Sequence, residues 1–198
     1  MISAGCSGGK KGPTIAVSGP PGSGKTTYAR RLAEDLGLDY YSAGMIFREV
    51  ARSRGVSVEE LNRVAASDPS IDLEIDRRTL ELGCRGGVVL EGHLVAWVLA
   101  GVADVKIYVT APLEARIRRI ASREGRPLKE VYRETVAREY MHWRRFLDYY
   151  GVDVTNLQIF NLVVDTEPLD IEEAYFMIRT YTCRLLARRG FRLGACSR

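Results

Sequence analysis

Gly19-Pro20-Pro21-Gly22-Ser23-Gly24-Lys25-Thr26 places glycine, glycine, lysine and threonine at every fixed position of the pattern G-x-x-x-x-G-K-[ST]. Thr14-Ile15-Ala16-Val17-Ser18 precedes it, a run rich in β-branched residues that reads as a buried strand. Thr27-Tyr28-Ala29-Arg30-Arg31-Leu32-Ala33 follows it with helical patterning. Strand, glycine-rich turn and helix are the context in which this pattern binds phosphate. The glycines let successive backbone N–H groups turn inward, and the helix adds the positive end of its dipole. Residues Gly19 to Thr27 are therefore the expected triphosphate site. Lys25 is expected to reach the β- and γ-phosphates, and Thr26 to hold Mg²⁺.

Four more short runs repeat the strand signal: Leu38 to Tyr41, Val88 to Leu90, Val105 to Val109 and Leu162 to Val164. Several are apolar almost throughout rather than alternating, as strands buried on both faces must be, and helical stretches separate them. The order predicts an α/β doubly wound P-loop domain, a five-stranded mostly parallel sheet with helices on both faces. Residues 14–189 form that domain, residues 1–13 a flexible Gly/Ser-rich segment and residues 190–198 a basic tail. Residues 42–87 make a helical insertion that breaks at Asp68-Pro69. Residues 112–151 make a second, arginine-dense excursion read as a lid.

With 198 residues, 46% of them hydrophobic, one compact domain is the expectation. A net charge of +4 suits an anionic substrate but falls short of a dedicated nucleic-acid binder. No apolar stretch is long enough to span a membrane and no secretory signal opens the chain, so the protein is expected in the cytoplasm, as a monomer, with no nucleic-acid or membrane partner. Cys6, Cys84, Cys183 and Cys196 show no CxxC spacing, which argues against zinc and for reduced thiols. Only five basic residues are Lys, and Asn plus Gln number four, a composition that leans toward a heat-adapted source. In such a cell a Cys183–Cys196 bridge stays open.

Phosphoryl transfer between two anions needs an acidic anchor for Mg²⁺ and cations around both substrates. Glu91, in Val88-Val89-Leu90-Glu91-Gly92, is the expected anchor; Asp165 at the end of the last strand is a second candidate. Arg116, Arg119 and Arg123 recur at helical spacing and form one stripe ending at Gly125, read as lid arginines that fold over ATP. Arg48 is placed to hold an acceptor phosphate. Arg138 and Arg145, seven residues apart, share a helical face. No Asn-Lys-x-Asp base-reading sequence is present, which argues against a GTPase.

Gly-Pro-Pro-Gly-Ser-Gly-Lys-Thr-Thr at 19–27, Ser-Ala-Gly-x-x-Phe-Arg at 42–48, Asp68-Pro69-x-Ile71-Asp72-x-x-Ile75-Asp76-Arg77-Arg78, Val-Leu-Glu-Gly at 89–92 and Tyr149-Tyr150-Gly151 occur in this order. Together they resemble the archaeal-type cytidylate kinases of the nucleoside-monophosphate kinase group, over about Thr14 to Thr166. The resemblance implies a core with an NMP-binding insertion and a short lid. It implies Ser42 and Arg48 in the CMP site with Glu91 and Gly92, Arg138 and Arg145 on phosphates in the closed state, and Arg119 or Arg123 facing ATP. The chain departs from the family at His93, where relatives usually carry Arg, and at His142, where they carry an acidic residue. Both positions are implied to lie near the pyrimidine, and a neutral imidazole pair offers a donor and an acceptor for reading a base.

Two alternatives remain at this stage: an adenylate kinase or other small-molecule kinase on the same scaffold, and a nucleotide-dependent RNA-binding protein. The second is suggested by Arg179, Arg184, Arg188, Arg189, Arg192 and Arg198, among which no acidic residue stands.

Overall fold

Every residue of Thr14–Ser18 (β1) is buried, and its side chains alternate between two separate cores. The computed structural model describes Cys6, residues 9–65 and residues 68–197, apart from the side chains of Asn62, Arg145 and Ser197. Along the chain follow Lys25–Leu36 (α1), Asp39–Ser42 (β2), Ala43–Ser53 (α2), Val58–Ala65 (α3), Pro69–Arg85 (α4) and Val88–Glu91 (β3). Then come Val95–Val98 (α5), Val105–Thr110 (β4), Leu113–Glu124 (α6), Leu128–Tyr150 (α7), Leu162–Asp165 (β5) and Ile171–Arg188 (α8). The strands form one sheet in the order β2-β3-β1-β4-β5, and every pairing is parallel. The five strand runs read from the sequence are these strands, shifted by a residue or so at their ends.

Ile15 and Val17 join Leu32, Ile107, Ile178 and Leu186 in a core under α1 and α8. Ala16 and Leu90 join Val50, Ile71 and Leu99 in a second core under α2, α4 and α5. Burial of each large side chain contributes roughly 1.5–3 kcal/mol, which is why these strands read as continuous apolar runs. Because β1 has β3 on one side and β4 on the other, the chain leaves it in opposite directions. The crevice at its C-terminal end is where such sheets bind ligands.

Local chemistry sets the helix ends. Asp68 caps α4 by accepting from Ser70 N at 2.9 Å, with Pro69 in the first helical position where its missing N–H costs nothing. Asp170 and Glu173 exchange side-chain and backbone bonds of 2.8 and 2.9 Å in a capping box that starts α8. The excursion of residues 112–151 is two helices, α6 and α7, separated at Gly125, which takes the left-handed conformation (φ 63°) that ends α6.

The terminal segments differ from expectation. Residues 9–13 run along the domain rather than away from it: Lys11 N donates to Arg85 O at 2.8 Å, and Lys10 Nζ pairs with Asp104 at 3.0 Å. Of the remaining N-terminal residues expected to be flexible, 1–5, 7 and 8 lie outside the described set. The tail is docked as well: Phe191, Leu193 and Ala195 pack on the α1–α8 core, and Arg179 donates to Ala195 O. The expectation of reduced thiols is not met. Cys6 is bonded to Cys84 and Cys183 to Cys196, each with Cα atoms 5.3 Å apart, and no described cysteine is free. Tertiary folding brings these partners together, so spacing in the sequence carried no signal for the first pair. Among the described residues no helix is long and apolar enough to cross a membrane.

Candidate active site

The loop that leaves β1 is fixed by close backbone contacts. A Cβ at Gly19 would sit 2.1 Å from Val109 O, and one at Gly22 (φ 77°) 2.7 Å from Arg116 O, so neither position accepts a side chain. The Ser23 hydroxyl is wholly buried with no hydrogen-bond partner and lies behind the cavity lining. Lys25 opens α1, and its Nζ lies 3.8 Å from Glu91 Oε1 at the end of β3. Tyr40 on β2 donates to the other Glu91 oxygen at 2.9 Å.

A cavity of about 590 Å³ opens in front of this loop. Pro21, Gly22, Gly24, Lys25, Thr26 and Thr27 line it on one side; Arg119, Arg123, Arg138, His93 and His142 line it on others. Segments from the phosphate loop to the start of α8 thus converge on one space. Burial pushes the Lys25 ammonium below its usual pKa, Glu91 opposes that, and Arg138, Arg123 and Arg116 add to it. So concentrated a positive field favours a polyanion. The rings of His93 and His142 meet edge to face with centroids 5.2 Å apart. Burial first, then the charges of Lys25, His142, Arg138 and Arg116, hold His93 well below 6.5, so it is neutral at pH 7.

The three arginines of the predicted stripe do different things. Arg119 is clamped to Thr166, donating to its Oγ1 and its carbonyl oxygen at 2.8 Å each, and the Thr166 hydroxyl lies 3.1 Å from Ser23 O. Arg123 is largely exposed and pairs with Glu124 at 2.7 Å. Arg116 is only 6% exposed and is no lid arginine facing solvent. It donates to Ala111 O at 2.9 Å, to Pro21 O at 3.1 Å and to Glu139 on α7. Helical spacing gave the shared face correctly but could not say which part of that face is covered.

Ser42 and Arg48 are absent from the cavity lining among the described residues. Ser42 caps α2 by accepting from Met45 N at 3.1 Å, and Arg48 is exposed one and a half turns further on. Gly92 packs tightly: a Cβ there would lie 2.9 Å from both Ala43 Cβ and Val95 Cγ2. Arg145 falls on α7, but its side chain lies outside the described set. Tyr40, Thr166 and Glu139 were missed by the sequence reading. For Thr166 a signal existed, since a polar residue just past the C-terminal end of a parallel strand faces the ligand crevice.

Thr26 lines the cavity and offers a hydroxyl; Glu91, 5% exposed and absent from the lining, stands behind Lys25 with its carboxylate on Lys25 and Tyr40, so it offers an oxygen of the kind Mg²⁺ takes only if that pairing opens. No group of three or more His, Cys, Asp or Glu able to hold a metal occurs among the described residues. A divalent ion here would depend on substrate phosphates and water for its remaining ligands, which is the usual mode for Mg²⁺.

Sheet order, loop and cavity define a P-loop kinase. Solved structures agree on the fold. The chain matches an uncharacterised protein from Eubacterium ventriosum with TM-score 0.68 at 18% identity, over 85% of this chain and 97% of that one. It matches a shikimate kinase from Acinetobacter baumannii (TM-score 0.55, 19%, over 92% and 97%) and a gluconokinase from Sinorhizobium meliloti (TM-score 0.59, 14%, over 91% and 97%).

Sequence is more specific. The model of the cytidylate kinase-like family matches residues 14–168. A cytidylate kinase of Staphylothermus marinus is 56% identical over 87% of this chain and 97% of its own length. Cytidylate kinases of Aeropyrum pernix and Methanopyrus kandleri are 56% and 44% identical, over 82% and 88% of this chain and 94% and 95% of their own. The chain belongs to the cytidylate kinase-like family and is a nucleoside monophosphate kinase.

Proposed function

We propose that the enzyme transfers the γ-phosphoryl group of ATP to CMP, and to dCMP, giving ADP and the pyrimidine diphosphate. The supporting observation is the convergence of Lys25, Arg119, Arg123 and Arg138 on one cavity that also presents the paired imidazoles of His93 and His142. A phosphate oxygen of the acceptor attacks the γ-phosphorus in line, the bond to the β-bridging oxygen breaks, and ADP departs with that electron pair. A monophosphate is already ionised near neutral pH, so no general base is required. The loop amides and Lys25 hold the triphosphate, and the arginines offset charge on the moving group and on the acceptor. Thr26, with Glu91, would hold Mg²⁺, which would supply further neutralisation of charge on the triphosphate.

Neutral His93 beside His142 fits reading of the acceptor's base through one donor and one acceptor rather than through charge. Coupled ADP release with CMP, dCMP, UMP, AMP and GMP tests both parts. CMP and dCMP are expected to have the highest kcat/KM. In a variant carrying His93→Ala and His142→Ala, the preference for CMP over UMP should fall about tenfold or more, in line with the worth of paired polar recognition. AMP as the best acceptor of the wild-type enzyme would overturn the cytidylate assignment and favour an adenylate kinase.

A further inference from the structure

Arg116 carries a charge almost wholly shut away from water, and three elements share it. Its guanidinium donates to Pro21 O in the phosphate loop and to Ala111 O before α6. It grips Glu139 of α7 with two prongs, the second at 3.3 Å. Its backbone also touches the loop directly, because Gly22 approaches Arg116 O more closely than any side chain would permit. The loop that must wrap ATP thus rests on Arg116 twice.

Glu139 is placed to pass that contact on. It stands between Arg138, which lines the cavity, and His142, which lines it one turn later. The apolar contact between α6 and α7 is made near the start of α7, where Val131 packs on Ile117, Ile120 and Ala121. Glu139 comes about two turns beyond that contact, so its pairing with Arg116 ties α7 to α6 and to the loop at a second point, beside the buried Thr135 and Phe146.

We propose that Arg116 and Glu139 act as a positioning strut, through which the occupied phosphate loop sets the angle of α7 and thereby places Arg138 and His142 on the acceptor. This rests on the nucleotide-kinase reading above. When a triphosphate fixes Pro21 and Gly22, Arg116 and Glu139 are fixed with them, and less ordering remains for the acceptor to supply. Binding of the two substrates is therefore mutually reinforcing, with the same factor in either direction. Neither residue touches substrate; the role is to position others.

Calorimetric titration of CMP, with and without a saturating non-hydrolysable ATP analogue, measures that factor. In the wild-type enzyme the analogue should tighten CMP about fivefold or more, within the usual range of such couplings. Glu139→Ala should bring the factor to within about twofold of unity, with binary CMP affinity changed less, while Glu139→Gln, which keeps the acceptor oxygen, should retain most of it. A residue that only supports the fold would lower the melting temperature without moving this factor. If Glu139→Ala melts below the assay temperature, Glu139→Asp withdraws the carboxylate by one methylene at the same charge and should lose the coupling. Wild-type coupling in the folded Glu139→Ala or Glu139→Asp enzyme overturns the strut alone. No CMP binding to the wild-type enzyme under either condition overturns the strut together with the acceptor assignment.

Discussion

The phosphate loop and the acceptor side of the cavity are built in opposite ways. The loop is the segment of residues 19–24 held between β1 and α1, pressed at Gly19 and Gly22 against Val109 and Arg116 at distances that admit only glycine. The wall proposed for the acceptor is assembled from His93 just past β3 and from Arg138 and His142 on the 23-residue helix α7. One half is a single contiguous segment pinned by two close backbone contacts, the other is gathered from segments far apart in the chain. Rigid binding of the shared donor, ATP, and adjustable binding of the acceptor are the expected consequence, and each half should fail in its own manner.

Damage to the rigid half should have the largest effect. Lys25→Met removes the cation that Glu91 supports, against the effect of burial, at the mouth of the loop. Loss of one such preorganised group costs on the order of 10²–10³ in kcat, and the folded state should be unaffected because a long apolar chain replaces a long stem. Turnover measured beside far-UV circular dichroism checks both. Wild-type turnover in the folded variant would remove Lys25 from the mechanism and erase the contrast between the two halves.

The same contrast explains what the sequence disclosed. The phosphate loop and the five strands were legible because their signals are contiguous: a fixed spacing, or a run of buried residues. His93 and His142 could be named only through resemblance to a family; that they form one edge-to-face pair is a fact of folding. Arg116 was grouped with Arg119 and Arg123 because helical spacing reports a face, whereas burial of that face depends on Pro21 and Glu139, which lie far along the chain. The disulfides were hidden for the same reason, and only the shorter loop, Cys183–Cys196, was left open as a pairing.

Those disulfides give the next largest effect, and it should fall on stability rather than turnover. The Cys6–Cys84 bridge ties the N-terminal segment to the end of α4, and Cys183–Cys196 ties the tail to α8. For loops of 78 and 13 residues, chain-entropy reasoning gives upper values of about 4.5 and 3 kcal/mol. At roughly 2–4 °C per kcal/mol for a domain of this size, reduction should lower the melting temperature by about 10 °C or more while leaving turnover at moderate temperature near its starting value. Calorimetric melts of the Cys6→Ser and Cys183→Ser variants should show the larger loss for the first. A loss of kcat without loss of melting temperature would mean that the bridges serve the site.

The smallest expected effect falls outside the cavity lining, in the helical segment of residues 42–87, which is held together partly by charge. Glu74 on α4 accepts from Arg54 just beyond α2 at 2.5 Å and from Arg78 one turn along at 2.8 Å. The Arg54 hydrogen bond, followed by that of Arg78, holds its carboxyl below the ordinary 4.5. A carboxyl depressed in the folded state stabilises above its unfolded pKa and ceases to do so as pH falls through the folded value. The pair is partly exposed and screened by salt, so Glu74→Gln should cost only about 0.5–1 kcal/mol at pH 7. That difference between variant and wild-type melting temperatures should shrink as pH drops from about 4.5 downward, and should also shrink in high salt. A difference that persists unchanged at pH 3 would show that Glu74 joins α2 to α4 through packing rather than charge.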